Sequence, residues 1–540
     1  MASLNARSEF VTHDVNNQPD PRQDWALWQS DPALRHWLDA AGGRSEPVAQ
    51  AGTLFGAAET LAAAQDARRD PPRLVSFNRD GRRLDEVHFN QGYHRMMQVG
   101  MEQGYAGLAW DGEPGGHASH AAIVYMLNQV EPGVCCPLTM TYAVVPALAE
   151  DKNLSDLWRP KLISGVYDPT IAPASEKQGV TLGMAMTEKQ GGSDVRTNST
   201  RAEREGDTYR LWGHKWFCSA PMSDGFLTLA QAPGGLTCFL VPRWLENERN
   251  AIDVMRLKSK LGNHANASSE VEYQGALAYR LGEEGEGVKT IIEMVHHTRL
   301  DTAMAPAGLM RAALAEAHWW VSGRNAFQRR LIDQPLMRAV LADLVLDWES
   351  ALALGMMTAQ AFDGDGEEDR AFARISVALA KFLSNKRCPV VVAEAMEVLG
   401  GMGYIEETPM PMLYREAPLN GIWEGSGNVI CLDILRTLHR EPLAAEVLMA
   451  RLQAATGADR RYDAALKAHL ERWPGLPAEA EARWFAESLA QLLAASMFIQ
   501  HGLAEVADGY VATRLDGVRG HVPGSISGLD DAALLARLEG

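Results

Sequence analysis

The spacing of apolar side chains changes twice along the chain, and those changes divide it. From about residue 46 to 180, stretches such as PVAQAGTLFGAAETLAAAQ and HASHAAIVYMLNQVE place apolar residues at helical intervals, which predicts an N-terminal helical domain. Between about 181 and 285 the period falls to two: YRLWGHKWF, FLTLAQA, LTCFLVP and EVEYQGALA alternate between Gly and Pro turns. That pattern predicts a compact antiparallel β domain. From EGVKTIIEMVHHTRL the helical period returns, with long stretches at 287–321, 335–363, 368–398 and 427–440. Helices of that length joined by short connections predict a four-helix bundle over 286–440, and GDGEED (364–369) reads as a solvent loop between two of them.

The ends are less regular. Residues 1–45 read as an arm rich in Pro, Asn and Asp, with Trp25, Trp28 and Trp37 in a partly helical pattern. Tryptophans in an arm serve to anchor it, here to its own core or to a neighbouring subunit. Residues 441–540 read as shorter amphipathic helices broken at WPGLP (473–477) and by RLDGVRGHVPGSISG, a C-terminal helical extension. The fold class expected is mainly α with a central antiparallel β domain.

Composition fits a large multidomain protein, with 540 residues of which 46% are hydrophobic. MASLNARSEFVTHDV lacks the apolar run of a secretory signal, and apolar stretches such as Leu489 to Ile499 are too short to span a membrane. Six cysteines without framework spacing point to packed thiols and a reducing, cytoplasmic setting. The formal charge of −18 argues against indiscriminate coating of nucleic acid. Residues 441–540 are themselves acidic, with nine Lys and Arg against fourteen Asp and Glu.

Three segments carry candidate chemistry. IWEGSGNVICLDILR (422–436) sets Glu424 beside a Gly-Ser-Gly turn at a helix start, where an enclosed carboxylate can become a base; an N-terminal capping carboxylate is the plainer alternative. GMAMTEKQGGSDVRTNST (183–200) offers Thr187 and Ser193 hydroxyls with the amides around Gly191 and Gly192 to a ring edge or phosphates. YRLWGHKWFCSA (209–220) delivers Trp216, Phe217 and Ser219, an aromatic and a hydroxyl that suit a flat heteroaromatic ring. Each alone is also compatible with an ordinary turn or sheet. Metal catalysis is not expected, because HExxH, CxxC and EF-hand patterns are missing and adjacent His296 and His297 would point about 100° apart on a helix.

Taken in order, these segments resemble the acyl-CoA dehydrogenase family of flavoproteins. Thr187, Glu188, Gly192, Ser193 and Asp194 match its T-E-x-x-x-G-S-D loop, Phe217 to Ser219 its W-I-T/S segment, and Ile422 to Ser426 its I-Y-E-G-T. RNAFQRRLIDQP (324–335) and EVLGGMGYIEE (397–407) resemble two further family segments. The resemblance implies two helical domains flanking a β domain, and FAD held noncovalently at a subunit interface. It implies that Glu424 withdraws the α-proton of an acyl thioester while a hydride leaves the β-carbon for the flavin, with the Glu424 N–H helping to hold the thioester oxygen. Ser219 would approach the ring's N5 edge, Thr187 its pyrimidine edge, Phe217 its face, and Ser193 the phosphate or ribityl groups. Met184, Gly192, Cys218, Ile422, Trp423, Ser426 and Asn428 complete the implied cofactor set. Arg324, Phe327, Gly400, Gly401 and Gly403 would reach the FAD of an adjacent protomer, so a homodimer or homotetramer is implied.

Departures narrow the resemblance. Phe217 stands for Trp, Trp423 for Tyr and Glu397 for Gln, and Thr298 falls where isovaleryl-type enzymes carry their base. Trp423, the arm and the hundred-residue tail resemble the AidB-like branch, proteins of the adaptive response to DNA alkylation. What that implies is weak dehydrogenation of acyl-CoA of the isovaleryl type, a small acyl thioester or alkylating agent as ligand, and a tail that binds double-stranded DNA. Arg436, Arg440, Arg451, Arg460 and Arg461 are the candidate DNA contacts, against the acidity of the tail. The alternative is a metabolic dehydrogenase of a short or branched acyl thioester without DNA binding.

Overall fold

A computed structural model describes residues 6–501 and 503–539 of the chain; residues 1–5, at the start of the expected arm, lie outside the described residues. The arm leads into α1 (Pro32–Ala40), which starts cleanly because Asp31 accepts from Leu34 N at 2.9 Å and proline occupies the first turn. Trp37 of α1 is fully buried, donates to Glu349 Oε1 at 3.1 Å and meets Phe498 edge-on. The arm therefore anchors to its own chain.

Helices α2 (Ser45–Phe55) and α3 (Ala58–Arg69) follow, then a hairpin of β1 (Arg73–Phe77) and β2 (Arg83–His88) inside the block expected to be helical. Its strands are too short to stand out against the helical periodicity around them, and tertiary contacts secure them: Arg243 Nη2 donates to Asp85 O and Arg249 Nη1 to Leu84 O. The helical domain continues with α4 (Gln91–Glu102), α5 (Gly116–Leu127), α6 (Pro132–Ala143), α7 (Val145–Leu148) and α8 (Lys152–Leu162). Asn90 and Asp151 cap α4 and α8 through the amides of Tyr93 and Leu154.

Seven strands form the β domain: β3 (Leu182–Ala185), β4 (Arg201–Glu205), β5 (Thr208–Ser219), β6 (Gly225–Ala232), β7 (Gly235–Pro242), β8 (Ile252–Leu257) and β9 (Ser268–Leu281). The order β3-β6-β4-β5-β9-β7 closes on itself through β6–β7, with β8 on β9. Most ladders are antiparallel as the alternation predicts, but β3 runs parallel to β6, because the loop 186–200 crosses the domain before β4 begins. The closed sheet has its own apolar interior, including Leu211, Phe226, Phe239, Val254, Val271 and Tyr273.

The bundle is built on α9 (Gly287–Gly323), α10 (Pro335–Asp363) and α11 (Glu367–Val398), with a small hairpin β10 (Asn325–Ala326) and β11 (Arg329–Arg330) between the first two. α12 (Met410–Glu416) and α13 (Gly427–Arg440) follow. The tail, α14 (Pro442–Gln453), α15 (Arg460–Arg472), α16 (Ala482–Gln500), α17 (Ala504–Tyr510) and α18 (Asp531–Leu535), shares one apolar core with the bundle and helical domain. Ion pairs close the seam: Arg514 with Asp343 and Asp347, Arg537 with Glu349, and Arg338 with Asp531. Among the described residues no helix is long and apolar enough to cross a membrane.

Candidate active site

Just before α13 the chain takes two left-handed residues in succession, Glu424 at φ 57° and Gly425 at φ 98°. For a glutamate this conformation costs on the order of 1–2 kcal/mol and persists only where neighbours impose it. Buried Lys381 of α11 donates Nζ to the carbonyls of Asn420 and Gly425, both at 2.9 Å, and Arg299 of α9 donates Nε to Glu424 O at 3.3 Å. Arg299 is held in turn by Asp433, which Arg374 also grips with two nitrogens. Trp423 Nε1 donates to Asn420 Oδ1 at 2.8 Å.

The carboxylate itself receives the Thr298 hydroxyl on Oε2 at 2.8 Å. Burial pushes the Glu424 carboxyl above its usual range, and Thr298, Lys381 and Arg299 restrain that rise. Burial also brings the Lys381 ammonium down to about 7, against the pull of Glu424. A base of raised affinity for protons, fixed in a strained backbone, is thus set against an amine poised near neutrality.

Facing it is Cys136 of α6, whose thiol burial pushes up to about 11, a rise that Ser219 and Lys260 ease and the charge of Glu424 reinforces. The three domains meet at this point. Lys260 is brought down to about 8 by burial and contacts Asn266 O, and both carboxamide atoms of buried Asn266 are without a partner in the described structure. Sequence reasoning missed Cys136, Lys260 and Asn266; the polar run SKLGNHANASS between β8 and β9 was the available signal.

Around Ser219 the expected cofactor residues gather. Trp216 N donates to Thr187 O at 2.8 Å, fastening the 186–194 loop to β5. Gly192 is required there, because a Cβ would meet Thr187 Oγ1 at 2.4 Å. Ser193 is exposed, Met184 and Thr187 are half-buried, and Phe217 leaves 50% of its surface open. Ser219 Oγ lies 3.2 Å from Ser268 Oγ. Glu188 turns inward to a buried pair with Lys215 at 2.8 Å; burial alone would raise it, but Lys215 and its hydrogen bonds hold it at about 2. It fastens the loop and is no reagent. Cys218 departs from expectation: alternation along β5 sends its thiol into the sheet interior, where burial raises it to about 12, so only its backbone can line a site.

An exposed aromatic face, nearby hydroxyls and glycine amides, and the orphaned Asn266 carboxamide together fit a flat ring with polar edges and a phosphate tail. Ile422, Ser426 and Asn428 are exposed at the rim, though Asn428 Oδ1 is taken by Arg483 Nη1 of the tail at 2.9 Å.

The remaining cofactor candidates sit elsewhere. Arg324 lies 26 residues beyond Thr298 on α9, roughly 40 Å along the helix axis. Its guanidinium covers Trp320 and donates to Asn17 O, while Phe327, at φ 51°, projects with 91% of its surface exposed. Gly400 and Gly401 face open space, and Gly403 packs against Met396 O. One chain does not bring Arg324 and Phe327 to its own Glu424.

The five candidate arginines, two on α13 and three in the tail, form no uniform basic face. Arg436, Arg440 and Arg460 are exposed, and Arg451 lies over the Phe372 ring. Arg461 departs from expectation, because Asp459, which caps α15, and Asp508 of α17 neutralise it.

Comparison with known proteins agrees across the chain. Residues 17–169 match the family description "Adaptive response protein AidB N-terminal domain", residues 183–276 "Acyl-CoA dehydrogenase, middle domain", and residues 285–439 "Acyl-CoA dehydrogenase, C-terminal domain". The Escherichia coli (strain K12) protein "Putative acyl-CoA dehydrogenase AidB" is 42% identical over 516 residues, covering 94% of this chain and 95% of that protein. Caenorhabditis elegans ACDH-11, solved in complex with C11-CoA, superposes with a TM-score of 0.83 at 26% identity over 97% of this chain and 95% of its own. The apo form of Bd2924 superposes with a TM-score of 0.80 at 29% identity, covering 92% and 99%.

Proposed function

This chain belongs to the acyl-CoA dehydrogenase family of FAD-dependent oxidoreductases, and from that premise we propose that Glu424 is the base that withdraws the α-proton of a short acyl thioester. The observation that carries this is the enclosed, left-handed Glu424 with Thr298 on Oε2, which leaves Oε1 free to accept the proton. The raised proton affinity of the carboxyl suits that work near neutral pH. The Glu424 amide, without a backbone partner among the described residues, is available to the thioester oxygen as charge gathers there. FAD, when bound, supplies the acceptor for the hydride that leaves the β-carbon. Met184, Thr187, Gly192, Ser193, Phe217 and Ser219 are the residues that would hold it, with Ile422, Trp423 and Ser426 at its margin.

The test is anaerobic mixing of the yellow holoprotein with isovaleryl-CoA and other short acyl thioesters. Bleaching in the wild type and its loss in Glu424→Gln with flavin retained is the expected pair of results; a Gln variant that bleaches at the wild-type rate rejects the assignment.

Arg324 and Phe327, distant from their own Glu424, support assembly of at least a dimer in which a second copy completes the cofactor site. A flavin-loaded protein that sizes as a monomer contradicts this.

A second reading adds association with double-stranded DNA in the adaptive response to alkylation. It is supported by the match to AidB over both helical ends and by exposed Arg436, Arg440 and Arg460. Because the tail shares its core with the bundle, the test is substitution rather than truncation. Duplex retention that weakens steeply with salt, and is lost in the Arg436, Arg440, Arg460→Ala triple variant, is the outcome expected. Unchanged retention in the triple variant rejects these arginines as the contact.

A further inference from the structure

A cavity of about 300 Å³ lies at the seam between the helical domain and the β domain, at the small end of cavities that take ligands. Its walls are the end of β2, α4, the segment 167–171 that follows α8, and the turn 220–224 between β5 and β6. Pro137 and Ala220 line it and directly follow Cys136 and Ser219, so α6 and the end of β5 stand between this cavity and the active site. Glu424, Thr298, Thr187 and Phe217 take no part in its lining. It is a separate place in the fold.

The lining is aromatic, and its charges are paired with one exception. Phe89 stacks on buried Tyr93 at 3.9 Å, and Tyr167 OH lies 2.9 Å from His94 Nδ1. Burial holds the His94 imidazole below its usual range, so it adds no charge at neutral pH. Lys177 Nζ is committed to Asp224 Oδ1 at 2.6 Å, and Glu86 is held by Arg249. Asp168, half-buried, is the one lining carboxylate without an ion pair among the described residues. Its Oδ1 accepts from Thr170 N at 3.0 Å and from the Thr170 hydroxyl at 2.6 Å, whereas Oδ2 has only Gln178 N at 3.4 Å. Burial alone would raise this carboxyl, but Thr170 and the charge of Lys177 hold it below its usual range, so it is ionised at neutral pH. Aromatic rings beside one unpaired carboxylate favour a cation with a flat apolar body, because ring faces attract positive charge and Oδ2 can accept a further N–H. An anion would meet Asp168 with no uncommitted cation in the lining to receive it. A quaternary ammonium would bring no N–H to Oδ2, which singles out a primary one.

We propose that this cavity binds a small primary ammonium ion carrying an aromatic ring, with the ammonium at Asp168 and the ring beside Tyr167 and Phe89. The site stands apart from Glu424 and is independent of its assignment as the base.

The test is titration calorimetry of the flavin-loaded protein at neutral pH with phenethylammonium, its uncharged counterpart 2-phenylethanol, ring-free butylammonium, and phenylacetate. Phenethylammonium is expected to bind about tenfold more tightly than 2-phenylethanol or butylammonium, and phenylacetate not to bind. Asp168→Asn keeps the side chain's size and an oxygen for Thr170; it should weaken phenethylammonium about tenfold and leave 2-phenylethanol unchanged. Tyr167→Leu should weaken both ring compounds other than phenylacetate and spare butylammonium. Glu424→Gln should bind phenethylammonium as the wild type does. Flavin content checks the folding of each variant. Failure of phenethylammonium to bind, equal affinity for it and 2-phenylethanol, or unchanged affinity in both Asp168→Asn and Tyr167→Leu overturns the inference. Loss of binding in Glu424→Gln also overturns it, because the ammonium would then occupy the active site.

Discussion

Replacing Lys381 with methionine removes its charge and both of its hydrogen bonds at once while leaving an apolar chain of similar length. Burial lowers this amine from 10.5 to about 7. At about 1.36 kcal/mol per tenfold change in proton affinity, keeping it inside costs the folded state roughly 4–5 kcal/mol at neutral pH. Two charge-assisted hydrogen bonds to Asn420 O and Gly425 O offset this by about 1.5–3 kcal/mol each. The two sums nearly cancel, so Lys381→Met should change global stability at pH 7 by no more than about 2 kcal/mol.

The local effect should be larger. Without Lys381 the left-handed Glu424 is held mainly by Arg299, and release of about 1–2 kcal/mol of backbone strain should lower the rate of thioester-driven bleaching about 5- to 30-fold. The Glu424 carboxyl, losing a facing cation, should also titrate higher, moving the acid limb of the rate profile upward in pH. Stability carries its own sign. The folded amine binds protons less tightly than the unfolded one, so between pH 7 and 10.5 the unfolded chain holds more protons and wild-type stability rises with pH. The Met variant should lack that rise. Denaturant unfolding at pH 7 and 9 with stopped-flow bleaching across pH reads all three quantities. A variant that keeps the wild-type rate, pH midpoint and stability slope would refute the clamp.

Thr298→Val removes the hydrogen bond that restrains the Glu424 carboxyl, so the bleaching profile should shift to higher pH with flavin content unchanged. Lys215→Met strands buried Glu188, and should destabilise the protein by about 3–5 kcal/mol in chemical unfolding. In the wild type, Glu188 is held at about 2 from an ordinary 4.5, so its contribution is complete above pH 4.5 and is lost as pH falls toward 2; acid unfolding of the wild type should show that loss. Trp37→Ala opens a cavity between the arm, α10 and α16, and should cost about 3–5 kcal/mol with a matching fall in Tm.

Much of this protein was legible before any coordinates. The long helices begin and end within two residues of where periodicity puts them, at 287–323, 335–363, 367–398 and 427–440, because glycine or proline at or within two residues of their ends punctuates a single stretch of chain. Glu424, Thr187, Ser193, Phe217 and Ser219 were singled out as candidates from the company they keep along the chain. Cys136, Lys260 and Asn266 were not, since a thiol on a buried helix and two polar residues in a loop carry no pattern that distinguishes them. The hairpin at 73–88 was hidden for a related reason: its strands owe their place to Arg243 and Arg249, over a hundred residues away.

Local periodicity thus determined most of the elements and their order, because those depend on neighbours within a few turns. Only the tertiary structure decided that Glu424 is left-handed between Lys381 and Arg299, that Cys218 faces inward, that Arg461 is neutralised, and that Arg324 stands roughly 40 Å from Thr298. Charge partners, burial and distance are properties of residues brought together from far apart in the chain, and proton affinity and strain follow from them.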